Sequence, residues 1–340
     1  MTRKKYIVFA LLTITLVVFA SLAVLLALDL YAHRNFSQAA GLNAWGYRGP
    51  VAGRKQRGEQ RVVVLGESTA FGYGVTPGDA FPAILQELLN QKNSGSGRRV
   101  SVVNLAYNNE GAHSYRFTLE DYAYLKYDAA VFYSGYNDLS LNLAVYRHTS
   151  PVFRAIGYMP ILPLVLREKA MVISHGGRLD DAYLGKQPVF KPNMAQSATA
   201  GAIGALADGM NALNRPLNSE GATPEPVALQ EGAACGPTWA HYCGGMYRAV
   251  KFALDRQTKV MIVTQPKLLS DLVDHLDQQQ RLAAFLKQRF PGNRLLSFTN
   301  LSEAVNVGDP ALSYDAMHLT AAGNRVIAEK LVDPVLEMLR

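Results

Sequence analysis

The sequence predicts an α/β protein, with a three-layer α/β/α domain around a five-stranded parallel sheet and one transmembrane helix before it. Three observations support this prediction. Short apolar runs alternate with longer segments of helical periodicity, which is the pattern of strands joined by helical crossovers. Residues 7–28 contain no charged side chain. Of the 340 residues, 49% are hydrophobic and 18% are charged, which supplies a large core and excludes an intrinsically disordered chain.

Residues 7–28 form an uncharged apolar segment of 22 residues. A transmembrane helix needs about 20 such residues, whereas the apolar region of a secretory signal peptide usually has about 7–15. Arg3, Lys4 and Lys5 precede the segment, and Arg34 is the only Lys or Arg in the 15 positions after it. The positive-inside rule therefore predicts a signal anchor with a cytoplasmic N-terminus and an extracytoplasmic main domain, periplasmic or extracellular. Small residues inside the segment leave a cleaved signal peptide as the alternative, and both interpretations export the main domain.

The positive charge of the chain is concentrated around this segment. The formal net charge is +7, and residues 1–60 hold eight basic and two acidic side chains. The rest of the chain is nearly neutral, so no basic surface is expected to extend across it. The sequence therefore predicts no nucleic-acid partner, and it predicts contact with the lipid bilayer through residues 7–28.

Composition divides the chain into three parts. Residues 1–31 form the cytoplasmic stub and the anchor, and residues 32–60 form a stalk or lead-in that lacks apolar periodicity. Residues 61–340 form the main domain. Its alternation of strands and helices lapses at about 139–245, where Pro, Gly and small residues are scattered, and this stretch is predicted to be an insertion.

The alternation in the main domain predicts five strands and the helices between them. Residues 61–65 are a short apolar run rich in valine, which is typical of a buried parallel strand. After it, apolar residues recur at three- and four-residue spacing, as on one face of a helix. The predicted strands are 61–65, 100–106, 129–134, 259–264 and 294–298, and the predicted helices are about 81–89, 114–126, 245–256, 271–289 and 321–339.

Polar residues suited to catalysis follow three of these strands and precede the last helix. Ser68 follows the first strand, Gly111 follows the second, and Asn137 follows the third. Asp315 and His318 lie just before the last helix. Ligands of open parallel sheets bind beyond the carboxyl ends of the strands, so we expect these five residues to meet at one edge of the sheet.

These residue types are the parts of a serine acyl-transfer site. The hydroxyl of Ser68 needs a base to take its proton, and His318 is the candidate base. Asp315, three positions earlier, is close enough along a turn to accept a hydrogen bond from the His318 ring. The backbone N–H groups of Ser68 and Gly111 and the side-chain amide of Asn137 are candidate donors to the oxyanion of a tetrahedral intermediate.

The four segments resemble, in order, the sequence blocks of the SGNH hydrolase superfamily, or GDSL-type esterases and lipases, in its membrane-anchored exported bacterial form. The matching residues are Gly66-Glu67-Ser68, Gly111, Gly135-Tyr136-Asn137-Asp138 and Asp315-Ala316-Met317-His318. Glu67 stands where the family has Asp, a position behind the reacting groups, so the change is expected to do little harm. The resemblance covers about residues 45–138 and 245–340. It implies the flavodoxin-like SGNH fold, a catalytic triad of Ser68, His318 and Asp315, and an oxyanion hole of Ser68, Gly111 and Asn137.

The resemblance and the predicted export together imply a serine esterase of the cell envelope. We expect it to hydrolyse O-acyl esters, with O-acetyl groups favoured, on a carbohydrate or related envelope substrate. Three alternatives remain open at this point: transfer of the acetyl group to an exported polysaccharide, a lipase or lysophospholipase activity, and a catalytically silent envelope assembly protein that retains the fold. No metal or cofactor is implied.

Cys235 and Cys243 are the only two cysteines of the chain. An exported domain lies in an oxidising compartment, which favours a disulfide between them. Two free thiols, or a weak metal site that includes His241, remain open as alternatives.

Overall fold

The computed structural model describes residues 3–36, 42–43, 45–142, 145, 158, 160–174, 193–214, 234–269 and 275–340. Part of the predicted insertion at 139–245 therefore lies outside the described residues. The chain divides into two compact units. One consists of Met1–Gly46 and Tyr158–Leu213, and the other consists of Tyr47–Gly157 and Asn214–Arg340.

The helices and strands can be numbered along the chain. In order they are α1 (Arg3–Phe36), β1 (Gln60–Gly66), α2 (Ser68–Phe71), α3 (Phe81–Lys92), β2 (Val100–Asn104), α4 (Ala112–Asp121), β3 (Ala129–Tyr133), α5 (Leu162–Ser174), α6 (Met194–Asn214), α7 (Ala240–Leu254), β4 (Lys259–Thr264), α8 (His275–Arg289), β5 (Leu296–Asn300) and α9 (Ala321–Leu339). Single turns of 3-10 helix lie at Ser94–Ser96, Ala123–Leu125 and Tyr136–Asp138.

The first unit contains the apolar helix α1. Its residues Lys5–Arg34 form a helix of 30 residues that is long and apolar enough to cross a membrane. Near the end of α1, the Asp29 carboxylate accepts hydrogen bonds from the backbone N–H groups of Ile161 and Leu162, at 2.8 and 2.6 Å. N–H groups at the start of a helix have no acceptor within that helix. Asp29 therefore caps α5 and holds its first turn against α1.

The second unit is a three-layer α/β/α domain, as the sequence predicts. Its five strands are all parallel and pair in the order β2-β1-β3-β4-β5. The chain passes from β1 outward to β2 through α3, and then back past β1 to β3 through α4. Because such crossovers are right-handed, α3 and α4 cover opposite faces of the sheet. Helix α9 packs against α3, and α7 packs against α4, which completes the two outer layers.

The direction of the strand order reverses between β1 and β3. These two strands lie side by side at the centre of the sheet, and their residues Val62–Leu65 and Ala129–Tyr133 are buried. The helices that follow them leave in opposite directions, which opens a crevice at the carboxyl ends of the two strands. A ligand site is therefore expected at this end of the sheet, between the segments that follow β1 and β3.

Among the element boundaries that differ from the sequence prediction, two have a local cause. Strand β5 begins at Leu296, two residues later than predicted, because the Asn293 side chain accepts a backbone N–H two positions on and forms a turn first. Helix α4 ends at Asp121 rather than near 126. The chain tightens there into the 3-10 turn Ala123–Leu125, which ends at Lys126 in the left-handed conformation, with φ 52°.

Helix α7 begins at Ala240, five residues before the predicted start at Gly245. A Cβ at position 245 would lie 2.7 Å from the Ala112 backbone, so glycine permits the close crossing of α7 and α4. Gly245, the predicted start of the helix, therefore lies inside α7 at a helix–helix contact. Helix α8 is described from His275 onward, and the first residues of the predicted helix 271–289 lie outside the described residues.

Candidate active site

Ser68 lies directly beyond the carboxyl end of β1. The strand ends at Gly66, where an added Cβ would be 2.3 Å from the carbonyl oxygen of Tyr133 on β3. Glycine at this position therefore lets the two central strands stay close up to their ends. Ser68 then begins the short helix α2, so its backbone N–H has no acceptor within that helix. The serine hydroxyl and the N–H are both placed at the crevice between β1 and β3.

Asp315 and His318 lie on one tight turn before α9. One carboxylate oxygen of Asp315 accepts the backbone N–H groups of Met317 and His318, at 3.0 and 2.6 Å. The other oxygen is 2.6 Å from Nδ1 of the His318 ring. Ala316 takes the left-handed conformation, with φ 65°, to close the turn. The carboxylate thus fixes both the backbone and the ring of the histidine.

The His318 ring joins this turn to Ser68. Its Nε2 atom is 2.8 Å from the Ser68 hydroxyl oxygen, so serine, histidine and aspartate form one chain of hydrogen bonds. Burial favours a higher pKa for the Asp315 carboxyl, but the hydrogen bonds from His318 and Met317 hold that pKa below its ordinary value. An ionised Asp315 accepts the Nδ1–H of the ring, which leaves Nε2 as the acceptor that faces Ser68.

Asn137 and Gly111 lie on two segments that touch. Asn137 belongs to the 3-10 turn after β3, and its side-chain amide donates to the carbonyl oxygen of Glu110 at 3.0 Å. Gly111 follows directly and precedes α4. A Cβ on Gly111 would lie 2.8 Å from the Asn142 side chain, so the position has no room for a larger residue. The amide of Asn137 carries a second N–H that remains available to a ligand.

Glu67, which stands where the resembling family has Asp, is fully buried behind this turn. Its carboxylate accepts the backbone N–H of Gly135 at 2.8 Å. Gly135 has φ 149°, a conformation that favours glycine, and an added Cβ would lie 2.2 Å from the Gln279 side chain. Glu67 therefore fixes the turn that presents Asn137. This role was not predictable from the sequence, because Gly135 is distant from Glu67 in the chain.

Asp138 is a second buried carboxyl behind the same turn. One of its oxygens accepts the backbone N–H of Ala112 at 2.8 Å, which ties the turn after β3 to the start of α4. Burial raises the pKa of Asp138 to about 7, although the Ala112 hydrogen bond opposes this rise. Burial, and then the nearby Asp138 carboxyl, raise the pKa of Glu67 well above its ordinary value. Both shifts favour the protonated form of these two carboxyls.

Two tyrosine rings flank the imidazole of His318. The ring centroid of Tyr73 is 4.8 Å from that of His318, and the ring of Tyr314 is nearly parallel to the imidazole at 5.9 Å. The Tyr314 hydroxyl donates to the carbonyl oxygen of Tyr73 at 2.7 Å. The two rings thus form a connected aromatic wall beside the base.

Arg48 supports the loop that carries Tyr73. This buried guanidinium donates to the carbonyl oxygens of Gly72 and Val75, at 3.2 and 2.5 Å, and lies 4.2 Å from the ring centroid of Phe71. Burial lowers the pKa of Arg48 to about 10, so the side chain still carries its charge at neutral pH. It clamps both ends of the Gly72–Val75 loop.

A disulfide joins Cys235 to Cys243, with their Cα atoms 6.4 Å apart. Cys243 lies in the first turn of α7. His241, two residues earlier in the same turn, places its Nε2 3.2 Å from the carbonyl oxygens of Asp138 and Ser140. The disulfide and this histidine hold the start of α7 close to the segment that follows Asn137. With both sulfurs in the disulfide, His241 has no thiolate neighbour with which to bind a metal.

No family model matches the sequence, and no curated protein is similar to it at the level of sequence. Solved structures similar to this chain are GDSL-family lipolytic proteins, esterases and acylhydrolases. One is the psychrotrophic esterase EstA from Pseudoalteromonas sp., with 9% identity, a TM-score of 0.43, and coverage of 82% of this chain and 98% of that chain. Another is a member of the lipolytic G-D-S-L family from Veillonella parvula, with 12% identity, a TM-score of 0.41, and coverage of 81% and 97%. A third is a variant of an acetyl-xylooligosaccharide esterase from Geobacillus, with 12% identity, a TM-score of 0.42, and coverage of 81% and 93%.

Proposed function

We propose that the protein is a serine esterase that hydrolyses O-acyl esters. The observation that carries the proposal is the chain of hydrogen bonds from Asp315 through His318 to Ser68, located at the crevice between β1 and β3. These three side chains come from opposite ends of the domain sequence, yet they meet in the order that nucleophilic catalysis requires. Their roles are nucleophile for Ser68, base and acid for His318, and orienting carboxylate for Asp315.

In the first step, the Ser68 oxygen attacks the acyl carbon while its proton moves to Nε2 of His318. The carbonyl π-bond pair moves onto oxygen and gives a tetrahedral oxyanion. When this intermediate collapses, the bond to the alcohol oxygen breaks and His318 returns the proton to that oxygen. Water then attacks the acyl-enzyme by the same sequence and releases the acid and free Ser68.

The oxyanion needs hydrogen-bond donors that are in place before the reaction. We assign this role to the backbone N–H groups of Ser68 and Gly111 and to the amide of Asn137. Support comes from the buried groups behind them, since Glu67 fixes the Asn137 turn and Asp138 fixes the start of α4 next to Gly111. Such a rigid arrangement avoids the cost of reorienting dipoles during the reaction.

We further propose that the substrate is an acetylated carbohydrate or related envelope component, and that α1 is a signal anchor with the N-terminus in the cytoplasm. Support comes from the apolar helix and from the basic residues that precede it. Protease treatment of intact spheroplasts tests the topology, because the main domain should be digested from outside. Digestion only after lysis of the cytoplasmic membrane would contradict the proposed orientation.

The decisive experiment is hydrolysis of 4-nitrophenyl acetate by the full-length protein in detergent. Ser68→Ala is expected to lower kcat by at least about 1,000-fold, because it removes the nucleophile. Ser94→Ala, which changes an exposed serine in the 3-10 turn before β2, is the matched control and should leave the rate unchanged. An active Ser68→Ala variant, or an inactive parent protein, would refute the proposal. Adding a polysaccharide acceptor to the assay separates two reactions: hydrolysis releases acetate, whereas transfer attaches the acetyl group to the polysaccharide.

A further inference from the structure

The chemistry of the proposed function determines which residues lie near the alcohol part of the ester. When the tetrahedral intermediate collapses, His318 must give its proton to the leaving alcohol oxygen. That oxygen must therefore come within hydrogen-bond reach of Nε2, about 2.6–3.2 Å. Groups that flank the imidazole are then the nearest neighbours of the rest of the alcohol.

Tyr73 and Tyr314 are the aromatic groups that flank the imidazole. Their ring centroids are 4.8 and 5.9 Å from the centroid of His318, so both rings lie next to the proposed base. Tyr314 is 37% exposed, and Tyr73 is partly exposed. Both rings therefore keep surface that a bound alcohol can contact.

The wall formed by these rings is rigid. The Tyr314 hydroxyl donates to the Tyr73 carbonyl at 2.7 Å, and the ring packs over Gly74, where an added Cβ would be 2.2 Å from that hydroxyl. On the other side, Arg48 holds the same loop through the carbonyls of Gly72 and Val75. Backbone bonds from Gly72 and Tyr73 to the Ser68 carbonyl connect the loop to the nucleophile itself, at 3.0 and 2.9 Å.

We propose that Tyr73 and Tyr314 form the subsite for the alcohol part of the ester, and that this subsite takes a pyranose ring. The inference rests on the proposed function. A rigid aromatic face contacts the C–H groups of a saturated ring over a large area while the ring hydroxyls stay at the solvent edge. A flexible acyclic alcohol gains less from a fixed flat wall, because it loses more conformational freedom on binding.

The test compares two acetate esters with different alcohol parts: a mono-O-acetylated methyl glucopyranoside, whose alcohol is a pyranose ring, and glycerol triacetate, whose alcohol is acyclic. In the full-length protein, Tyr314→Ala is expected to lower kcat/KM for the sugar ester by about tenfold and to leave that for glycerol triacetate within about twofold. Tyr314→Phe keeps the ring and should retain the preference for the sugar ester. Tyr124→Ala is the matched control, because Tyr124 is exposed and precedes β3, at the opposite edge of the sheet.

Three outcomes would overturn the proposal. An equal loss on both esters in Tyr314→Ala would mean that the ring only positions His318. Unchanged kinetics on both esters would mean that the ring does not contact the alcohol. A Tyr314→Phe variant that loses the preference would show that the aromatic face alone does not select the sugar ester. The Ser68→Ala variant distinguishes failure of the proposed function from failure of the subsite proposal. If the proposed function is wrong, Ser68→Ala keeps its activity on both esters, whatever the tyrosine variants do.

Discussion

Asp138→Asn is expected to make the domain more stable at pH 8 than the parent protein, by an amount that shrinks as the pH falls. Asp138 is buried, and burial raises its pKa from 3.8 to about 7. Asparagine has nearly the same shape, retains an oxygen that can accept the Ala112 N–H, and carries no charge at any pH. The substitution therefore removes the cost of ionising a buried carboxyl and keeps the contact.

The sign and the size of the effect follow from proton linkage. Between pH 3.8 and about 7 the unfolded chain has released the Asp138 proton while the folded protein still holds it. The folded state thus binds more protons, so this group lowers the stability as the pH rises through that window. A pKa that rises from 3.8 to about 7 corresponds to about 4 kcal/mol, which is reached in full above pH 7.

Thermal unfolding of the full-length protein in detergent measures this effect. The quantity to compare is the Tm of Asp138→Asn minus the Tm of the parent protein. This difference should be larger at pH 8 than at pH 4.5 by on the order of 10 °C, because 1 kcal/mol shifts the Tm of a domain of this size by about 2–4 °C. Asp333→Asn changes an exposed aspartate that pairs with Lys92 on the surface, and it should show no such trend. A Tm difference that stays constant with pH would refute the reasoning, because it would mean that Asp138 ionises equally in the folded and unfolded states.

Three further predictions concern catalysis. Asn137→Ala should lower kcat by about 100- to 1,000-fold with little change in KM, because it removes a hydrogen-bond donor that is needed most in the transition state. Steady-state kinetics measure both constants, and a change in KM alone would contradict the prediction. The rate should fall in acid, because general-base catalysis requires an unprotonated Nε2 on His318 to accept the Ser68 proton. A flat pH–rate profile would exclude His318 as the base. Glu67→Leu should lower kcat by about 100-fold at similar KM, because it releases the turn that carries Asn137. Glu67→Gln should keep most of the rate, because its side-chain oxygen still accepts the Gly135 N–H. Equal rates in the two variants would argue against a positioning role for Glu67.

The sequence predicted the strands and the candidate site because both depend on local patterns. Apolar runs of strand length identify β1, β3 and β4 in the sequence, and the position of Ser68 after β1 follows from the chain order alone. The Asp315–His318 pair was predictable for the same reason, since three residues of separation fit one turn.

The groups that support the site were not predictable from local patterns. The exchange of Asp for Glu67 was expected to do little harm, yet Glu67 accepts a hydrogen bond from the backbone of Gly135, 68 positions away. Arg48 looked like part of a basic lead-in, yet it is buried against carbonyls of the Gly72–Val75 loop. Both roles depend on long-range burial, which single-sequence patterns do not encode.

The turn that holds Asp315 and His318 has a further consequence for how activity arises during folding. The acid–base pair is assembled within four consecutive residues, so it can form as soon as that turn closes. Within the triad, the contact between His318 and Ser68 is the long-range one, because the two residues are 250 positions apart in the sequence. Recovery of the proposed esterase activity after denaturation would thus report long-range events: the docking of the last segment of the chain onto the end of β1, and the assembly of the segments that carry Gly111 and Asn137.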